Sequence, residues 1–110
     1  MTIQEYSQIV ANNIRSFMKL RDKTQTDIVN DLGISKSTLS SWVNAVRTPK
    51  IPTIDRLAEY FHCKRSDLME IHDDDFMDKF VLLEQYSQLD EQQKKTLKEY
   101  ASFLLSKKGD

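Results

Sequence analysis

Glycine and proline are scarce in this sequence, with only two of each among 110 residues. Sandwich folds and disordered tails use both residues more freely, because they need many tight turns or lack a packed core. The apolar residues instead recur at three- and four-residue steps, as on the buried face of a helix. The sequence therefore predicts an all-α protein, and its length fits one compact core with a short appendage rather than a large multi-site enzyme.

Cysteine and long apolar runs are also nearly absent. The single cysteine, Cys63, has no partner for an internal disulfide and no C-x-x-C companion, which favours a reducing compartment. No apolar run approaches the roughly 20 residues that span a bilayer, and the N-terminus lacks the blocks of a signal peptide. We therefore expect a cytoplasmic protein that makes no membrane contact.

The sequence contains no clear pattern of a catalytic or metal-binding site. Neither a glycine-rich phosphate loop nor a nucleophile motif accompanies the Ser, His and Asp residues. His62, Cys63 and His72 are only three candidate ligands, whereas a structural zinc site normally needs four. We expect no enzymatic activity, no cofactor and no metal.

Charge is divided unevenly along the chain, although the net charge is only -1. Residues 1–72 contain ten Lys or Arg and eight Asp or Glu, whereas residues 73–110 contain six and nine. The N-terminal part can therefore face a polyanion, and the C-terminal part would be repelled by it.

The first helix is predicted from about Gln4 to Arg21, with Val10, Ile14 and Phe17 on its core-facing side. Two short helices follow, at about 25–32 and 36–44. Their boundaries are marked by residues with capping chemistry, namely Thr24, Asp27, Gly33 and Ser35. A hydroxyl at the N-cap begins a helix, an acid three residues later completes a capping box, and glycine takes the left-handed conformation that ends a helix.

A fourth helix has Pro52 in its first turn, where the missing N–H costs nothing, and a fifth runs from about Arg65 to Ile71. The inward-facing residues predicted for the third to fifth helices are Leu39, Trp42, Val43, Ile54, Leu57, Ala58, Phe61, Leu68, Met69 and Ile71. Trp42 is assigned to this core rather than to base stacking, because it lies opposite Ser37 and Ser41 on the third helix.

The acidic run from Asp73 to Asp75 is interpreted as a solvated linker that also caps the next helix. It divides the chain into a domain of residues 1–72 and a segment of residues 73–110. In that segment Asp90 and Gln93 form a second capping-box pattern between two helices joined by a short connection, which favours an antiparallel hairpin.

Two short helices around a glycine-containing turn are typical of the helix-turn-helix unit, whose second helix enters the major groove of DNA. The ordered set of matching residues is long: Ile14-Arg15, Thr24-Gln25, Ile28, Leu32-Gly33-Ile34, Ser35-x-Ser37-Thr38-Leu39, Asn44, Arg47 and Pro49. With this set the chain resembles the lambda-repressor and Cro-like family, often called Xre-type, from about Tyr6 to Ile71. The resemblance implies a five-helix DNA-binding domain whose third helix reads bases and whose Gln25 anchors a phosphate.

Base readout needs short donors and acceptors at the start of the recognition helix, because that end penetrates deepest. The candidates for it are Lys36, Ser37, Thr38, Ser40 and Ser41, and the alternative is a merely polar, solvated face. The candidates for phosphate contacts at the edges of the motif are Gln25, Asn44, Arg47 and Lys50. Arg15 is left with two interpretations, a structural ion pair or a contact to the DNA backbone.

Four residues depart from the family pattern: Lys23 stands at a usual Leu position, Val29 at Ala, Val43 at Glu and Ala45 at Gly. The loss of glycine at position 45 moves the expected left-handed residue back onto Asn44. None of the four departures removes a candidate DNA contact.

The leading functional hypothesis is a dimeric, sequence-specific transcriptional repressor of phage, mobile-element or bacterial origin that binds a pseudo-palindromic operator in double-stranded DNA. The C-terminal hairpin is expected to form the homodimer through Phe76, Phe80, Leu83, Leu97, Tyr100 and Leu104. Two alternatives remain open: the hairpin packs on its own domain, or the chain is an antitoxin or antagonist that binds a regulatory protein partner.

Overall fold

The computed structural model describes residues 1–108, and these residues form seven α-helices and no strand. The helices are α1 (Ile3–Leu20), α2 (Gln25–Leu32), α3 (Lys36–Val43), α4 (Ile51–Phe61), α5 (Arg65–Met69), α6 (Phe76–Ser87) and α7 (Glu91–Lys108). The predicted all-α class, with five helices followed by two more, is confirmed. No helix in this described part is long and apolar enough to cross a membrane.

The chain divides into two compact units, of which the first is Met1–His72 and the second begins at Asp73. In the first unit α1 packs against α3 and α5, α2 against α3, and α4 against α5. Its core contains most of the apolar residues predicted from helical spacing, together with Ala11, Ile28 and Ala45, whereas Met69 is only half-buried. The rings of Phe17 and Phe61 stack within this core with centroids 5.9 Å apart. Trp42 is only 8% exposed and belongs to this core.

The prediction that Ile71 closes the core was wrong, because its side chain is 73% exposed. α5 ends at Met69, and Glu70 is already extended, with φ -99° and ψ 155°. The amide of Asn13 on α1 donates to the carbonyls of Leu68 and Glu70, 2.9 Å away in each case, and so anchors the chain at this exit. The helical periodicity is therefore broken before it reaches Ile71.

The capping signals of α2 and α3 are confirmed. Thr24 Oγ1 accepts from the Asp27 N–H, and the Asp27 carboxylate accepts in return from the Thr24 N–H. These bonds, the backbone one foremost, lower the pKa of Asp27 below its usual value. Ser35 caps α3 by accepting from the Thr38 N–H, and Gly33 is left-handed with φ 66°.

Left-handed residues end the first four helices: Asp22, Gly33, Ala45 and His62, with φ between 54° and 66°. The expectation that Asn44 would take this conformation at the end of α3 was wrong, since its φ is -100°. The Val46 N–H donates to Ser41 O and the Ala45 N–H to Trp42 O, which is the Schellman pattern. That pattern places the left-handed residue at Ala45, with or without a glycine there.

The second unit contains α6 and α7. The predicted capping box at the start of α7 is confirmed, because Gln93 N–H donates to the Asp90 carboxylate and Asp90 N–H donates to Gln93 Oε1. The expected capping of α6 by the acidic run was wrong: Asp75 occupies the N-cap position without a side-chain bond. Its backbone is helical, with φ -86° and ψ -4°, rather than extended as a capping residue requires.

No residue of α6 or α7 among the described residues is buried. The exposed large apolar side chains of the unit are Leu82, Leu83, Tyr100, Phe103, Leu104 and Leu105. α6 meets α7 near the turn, where the ammonium groups of Lys94 and Lys98 lie 5.1 and 5.8 Å from the centre of the Tyr86 ring.

Candidate nucleic-acid interface

α2 and α3 form a helix-turn-helix pair around the turn at Gly33. Ile28 of α2 and Leu39 of α3 are fully buried, so each helix contributes a core residue. α3 in turn packs against the long first helix, which fixes the direction in which its outer face points. The second helix of the pair is thus held rigidly with one side free.

The free side of α3 carries the predicted base-reading residues. Lys36, Ser37 and Thr38 are exposed, whereas Ser40 and Ser41 are half-buried. The three exposed residues occupy the first turn of the helix, which is the turn that enters deepest into a groove. All five candidates therefore lie on one helix, but the three in its first turn are more exposed to solvent than Ser40 and Ser41.

Local hydrogen bonds occupy some of these side chains and leave others available to a ligand. The Ser41 hydroxyl donates to Thr38 O at 2.6 Å, and the Thr38 hydroxyl accepts from Ser35 Oγ at 2.6 Å. Lys36 makes no ion pair with any described residue, and the Ser37 hydroxyl has only a long contact of 3.3 Å to Ser35. Lys36 and Ser37 thus have the most hydrogen-bonding capacity left for a ligand.

The loop after α3 presents two cations. It is anchored on one side by Pro49, which is buried, and by a 2.5 Å hydrogen bond between the hydroxyls of Ser7 and Thr48. Arg47 and Lys50 are exposed on this anchored loop, and neither forms an ion pair within residues 1–108. A short cationic loop beside a polar helix face is suited to a phosphate backbone.

The other two phosphate candidates differ in availability. Gln25 is the first residue of α2 and is half-buried. The Asn44 amide donates to Ser40 O at 2.9 Å and to Ser40 Oγ at 3.1 Å, so it closes the last turn of α3. Asn44 therefore has a structural role as well, which sequence reasoning missed.

Arg15 has a structural role in the protein. Its guanidinium donates to the carbonyl of Val43, at the end of α3, and to the side chain of Asn12. The last carbonyls of a helix have no partner within the helix and carry its negative dipole end, so a cation is favourable there. Arg15 thus ties α1 to the end of α3 by a hydrogen bond rather than by the ion pair envisaged from the sequence.

Other helix ends are held in the same way. Arg56 of α4 donates to Leu32 O at the end of α2, and Arg21 donates to Phe61 O at the end of α4. Each donor lies 24 to 40 residues from its acceptor. No local sequence signal reports such a contact, and sequence reasoning missed this group of positioning residues.

Cys63 is half-buried, and this burial raises the pKa of its thiol to about 12, with the nearby Asp67 adding to the effect. The thiol is therefore protonated at neutral pH and is a poor nucleophile. His72 bonds the carbonyl of Asp67 through Nε2, at 2.7 Å. Both residues take part in the packing of the first unit.

Residues 13–74 match the sequence pattern of the Cro/C1-type HTH DNA-binding domain. Because this match covers more than half of the chain, the protein belongs to that family. It is a DNA-binding transcriptional regulator and not an enzyme, as the helix-turn-helix geometry indicates.

Two relatives illustrate the similarity. The chain is 24% identical over 88 residues to the cryptic phage CTXphi transcriptional repressor RstR of Vibrio cholerae, with 79% of each chain covered. It is also similar to the solution structure of the SOS-response transcriptional repressor LexA from Eubacterium rectale, with a TM-score of 0.57 and 30% identity. That likeness covers 60% of this chain and 70% of the LexA chain.

Proposed function

We propose that this protein is a sequence-specific repressor that binds a pseudo-palindromic operator in double-stranded DNA as a homodimer, in the cytoplasm. The observation that carries the proposal is the first turn of α3, where Lys36 and Ser37 are exposed to solvent. Lys36 makes no ion pair with a described residue, and Ser37 makes only one long hydrogen bond. The helix that carries them packs against α1 and α2. The two relatives described above are both named as transcriptional repressors, which favours repression over activation.

Base readout is assigned to Lys36, Ser37, Thr38, Ser40 and Ser41. Lys36 donates to guanine O6 and N7, and Ser37 donates to or accepts from base edges. Ser40 and Ser41 lie further along the helix and are half-buried, so they contribute less than the residues of the first turn. Specificity is therefore concentrated in Lys36 and Ser37.

Phosphate contacts are assigned to Gln25, Asn44, Arg47 and Lys50. They lie at the start of α2 and around the end of α3, on either side of the base-reading turn. Arg47 and Lys50 supply charge, and the two amides supply hydrogen bonds that set the register on the duplex.

The homodimer is assigned to the second unit, through Phe76, Phe80, Leu83, Leu97, Tyr100 and Leu104. Leu83 is 68% exposed and Tyr100 is 59% exposed, and large apolar side chains left this exposed favour an interaction site. The domain boundary follows the same division, with DNA binding in residues 1–72 and pairing in residues 73–110.

A second candidate function is an antitoxin or antagonist whose C-terminal helices bind a different regulatory protein. The exposed apolar side chains of α6 and α7 favour it as much as they favour a homodimer. The polar face of α3 favours DNA, because a pure interaction module needs no such face.

The test begins with selection of bound sequences from random duplex DNA. Lys36→Ala and Ser37→Ala are then measured on the selected operator and on random DNA. Each should lose about 1 to 3 kcal/mol on the operator and much less on random DNA, because base contacts exist only in the specific complex.

Matched controls are Lys95→Ala and Ser16→Ala, which make the same changes at exposed positions on other helices. Equal losses on both DNAs, or no loss on either, would show that α3 is not the reader. Failure of the selection to enrich any sequence would count against sequence-specific binding altogether.

A further inference from the structure

α7 carries a short apolar stripe in its central and later turns. Leu97, Tyr100 and Leu104 follow each other at three- and four-residue steps and so lie on one side of the helix. Tyr100 and Leu104 are 59% and 48% exposed. The first half of the stripe borders an open groove of about 390 Å³, whose lining residues are Leu89, Gln92, Gln93, Thr96, Leu97 and Tyr100.

α6 does not cover this stripe. Its Tyr86 ring meets Lys94 and Lys98, which lie on a neighbouring side of α7. On a helix with 100° between successive residues, Lys94 points about 90° and Lys98 about 130° away from the centre of the stripe. α6 therefore leaves the stripe open to a further helix.

The spacing of the stripe is the same in both directions along the chain. Extended to the capping residue Asp90 before the helix and to the last turn of the helix, it runs through positions 90, 93, 97, 100, 104 and 107, with steps of three, four, three, four and three residues. When a second α7 packs antiparallel on the first, each stripe position faces a stripe position of the second copy. The two helices are then related by a two-fold axis between residues 98 and 99. Leu97 then meets Tyr100 of the second copy, and Gln93 meets Leu104.

The charged residues at the two ends of the stripe distinguish parallel from antiparallel pairing of the two helices. Asp90 stands at the first position of the stripe and Lys107 at the last. Antiparallel pairing places Asp90 opposite Lys107 of the second copy at both ends, whereas parallel pairing places Asp90 on Asp90 and Lys107 on Lys107. Opposite helix dipoles also favour the antiparallel arrangement.

We propose that the occupant of this stripe is the α7 helix of a second copy of the chain, packed antiparallel with a two-fold axis between residues 98 and 99. This inference rests on the proposed homodimer and specifies its seam. It places the apolar pair of Leu97 and Tyr100 next to the axis and the charge pairs at the rim, as in stable interfaces.

Cysteine pairing in the full-length chain tests the orientation. On a Cys63→Ser background, Gln93→Cys and Leu104→Cys are oxidised separately and then as a mixture. Antiparallel pairing predicts a cross-link in the mixture only. Identical positions at residue 93 would then lie about 16 Å apart, far beyond the 4.4 to 6.8 Å between Cα atoms that a disulfide allows.

Cross-linking of either variant with itself would overturn the antiparallel seam. So would the absence of any cross-link while sedimentation of the reduced chains shows a dimer, and in that case the proposed homodimer would stand. A chain that sediments as a monomer would instead refute the homodimer, and the seam with it.

Charge reversal gives a second, independent readout. Lys107→Glu places an acid opposite Asp90 of the second copy and should raise the dimer dissociation constant about tenfold, with less effect at high salt. Lys95→Glu is the matched control, since position 95 lies on the side of α7 away from the stripe. Equal dissociation constants for the two variants would contradict the proposed end pairs.

Discussion

At the scale of single residues, the first unit stores backbone strain in three of its four left-handed helix ends. Gly33 adopts φ 66° freely, but Asp22, Ala45 and His62 hold φ of 54° to 59° with a Cβ present. The left-handed region costs a residue with a Cβ roughly 1 to 2 kcal/mol. Position 62 is exposed, so its strain can be relieved without loss of buried apolar contact.

His62→Gly should therefore stabilise the protein by about 0.5 to 1 kcal/mol, because the relief of strain exceeds the added freedom of the unfolded chain. Urea unfolding followed by circular dichroism measures the change. The converse substitution, Gly33→Ala, should destabilise by about 1 kcal/mol, since a Cβ there meets no atom within 4 Å and only the backbone is strained. A loss of stability in His62→Gly would show that the imidazole makes a contribution larger than the strain.

These positions also show what a sequence can predict at this scale. Gly33 and the caps Thr24 and Ser35 were predictable because glycine and hydroxyl side chains report their own local conformation. Ala45 was not, because the hydrogen bonds of Val46 and Ala45 back to α3 decide the conformation there, rather than the preference of the residue.

At the scale of helices, side chains from α1 and from its C-cap residue hold the ends of other helices. Arg15 holds the end of α3, Arg21 the end of α4, and Asn13 the exit of α5. Helical periodicity predicted the α1 core stripe because spacing alone defines a buried face. These caps and the exposure of Ile71 escaped prediction, because each depends on a contact between residues far apart in the chain.

Arg15→Gln should lower the free energy of unfolding by about 1 kcal/mol, because it removes a charge-assisted bond to the Val43 carbonyl at the end of α3. With α3 less firmly held, affinity for the operator should fall more than affinity for random DNA. Urea unfolding and fluorescence anisotropy on both DNAs measure the two effects. Arg15→Lys is the matched variant, since it keeps the charge but cannot contact Val43 and Asn12 with a planar fork.

The alternative for Arg15 is a direct phosphate contact. In that case Arg15→Gln would weaken binding to both DNAs equally and lower the salt slope by about one, with stability unchanged. That pattern would replace the positioning role with a DNA-binding one.

At the scale of the whole molecule, the chain separates a unit with a complete core from one without buried residues. Nine large side chains of the first unit are fully buried, whereas the described residues of α6 and α7 bury none. Hydropathy and charge predicted this division, because surplus apolar residues and excess acid both begin after residue 72. The homodimer predicted for the second unit does not follow from composition alone, since any apolar surface could cover its exposed residues.

A chain ending at His72 should keep its fold and bind a single half-site as the full chain does, because the recognition helix and its supporting contacts lie within Met1–His72. On an operator with two half-sites, one helical turn or about 34 Å apart, the proposed full-length dimer would bind the second half-site at high effective concentration. Removal of residues 73–110 should therefore weaken binding to this operator at least about a hundredfold. Sedimentation should show a dimer for the full chain and a monomer for the shorter one. Equal affinities of the two chains for the complete operator, or a monomeric full chain at high micromolar concentration, would refute the role of the second unit in pairing.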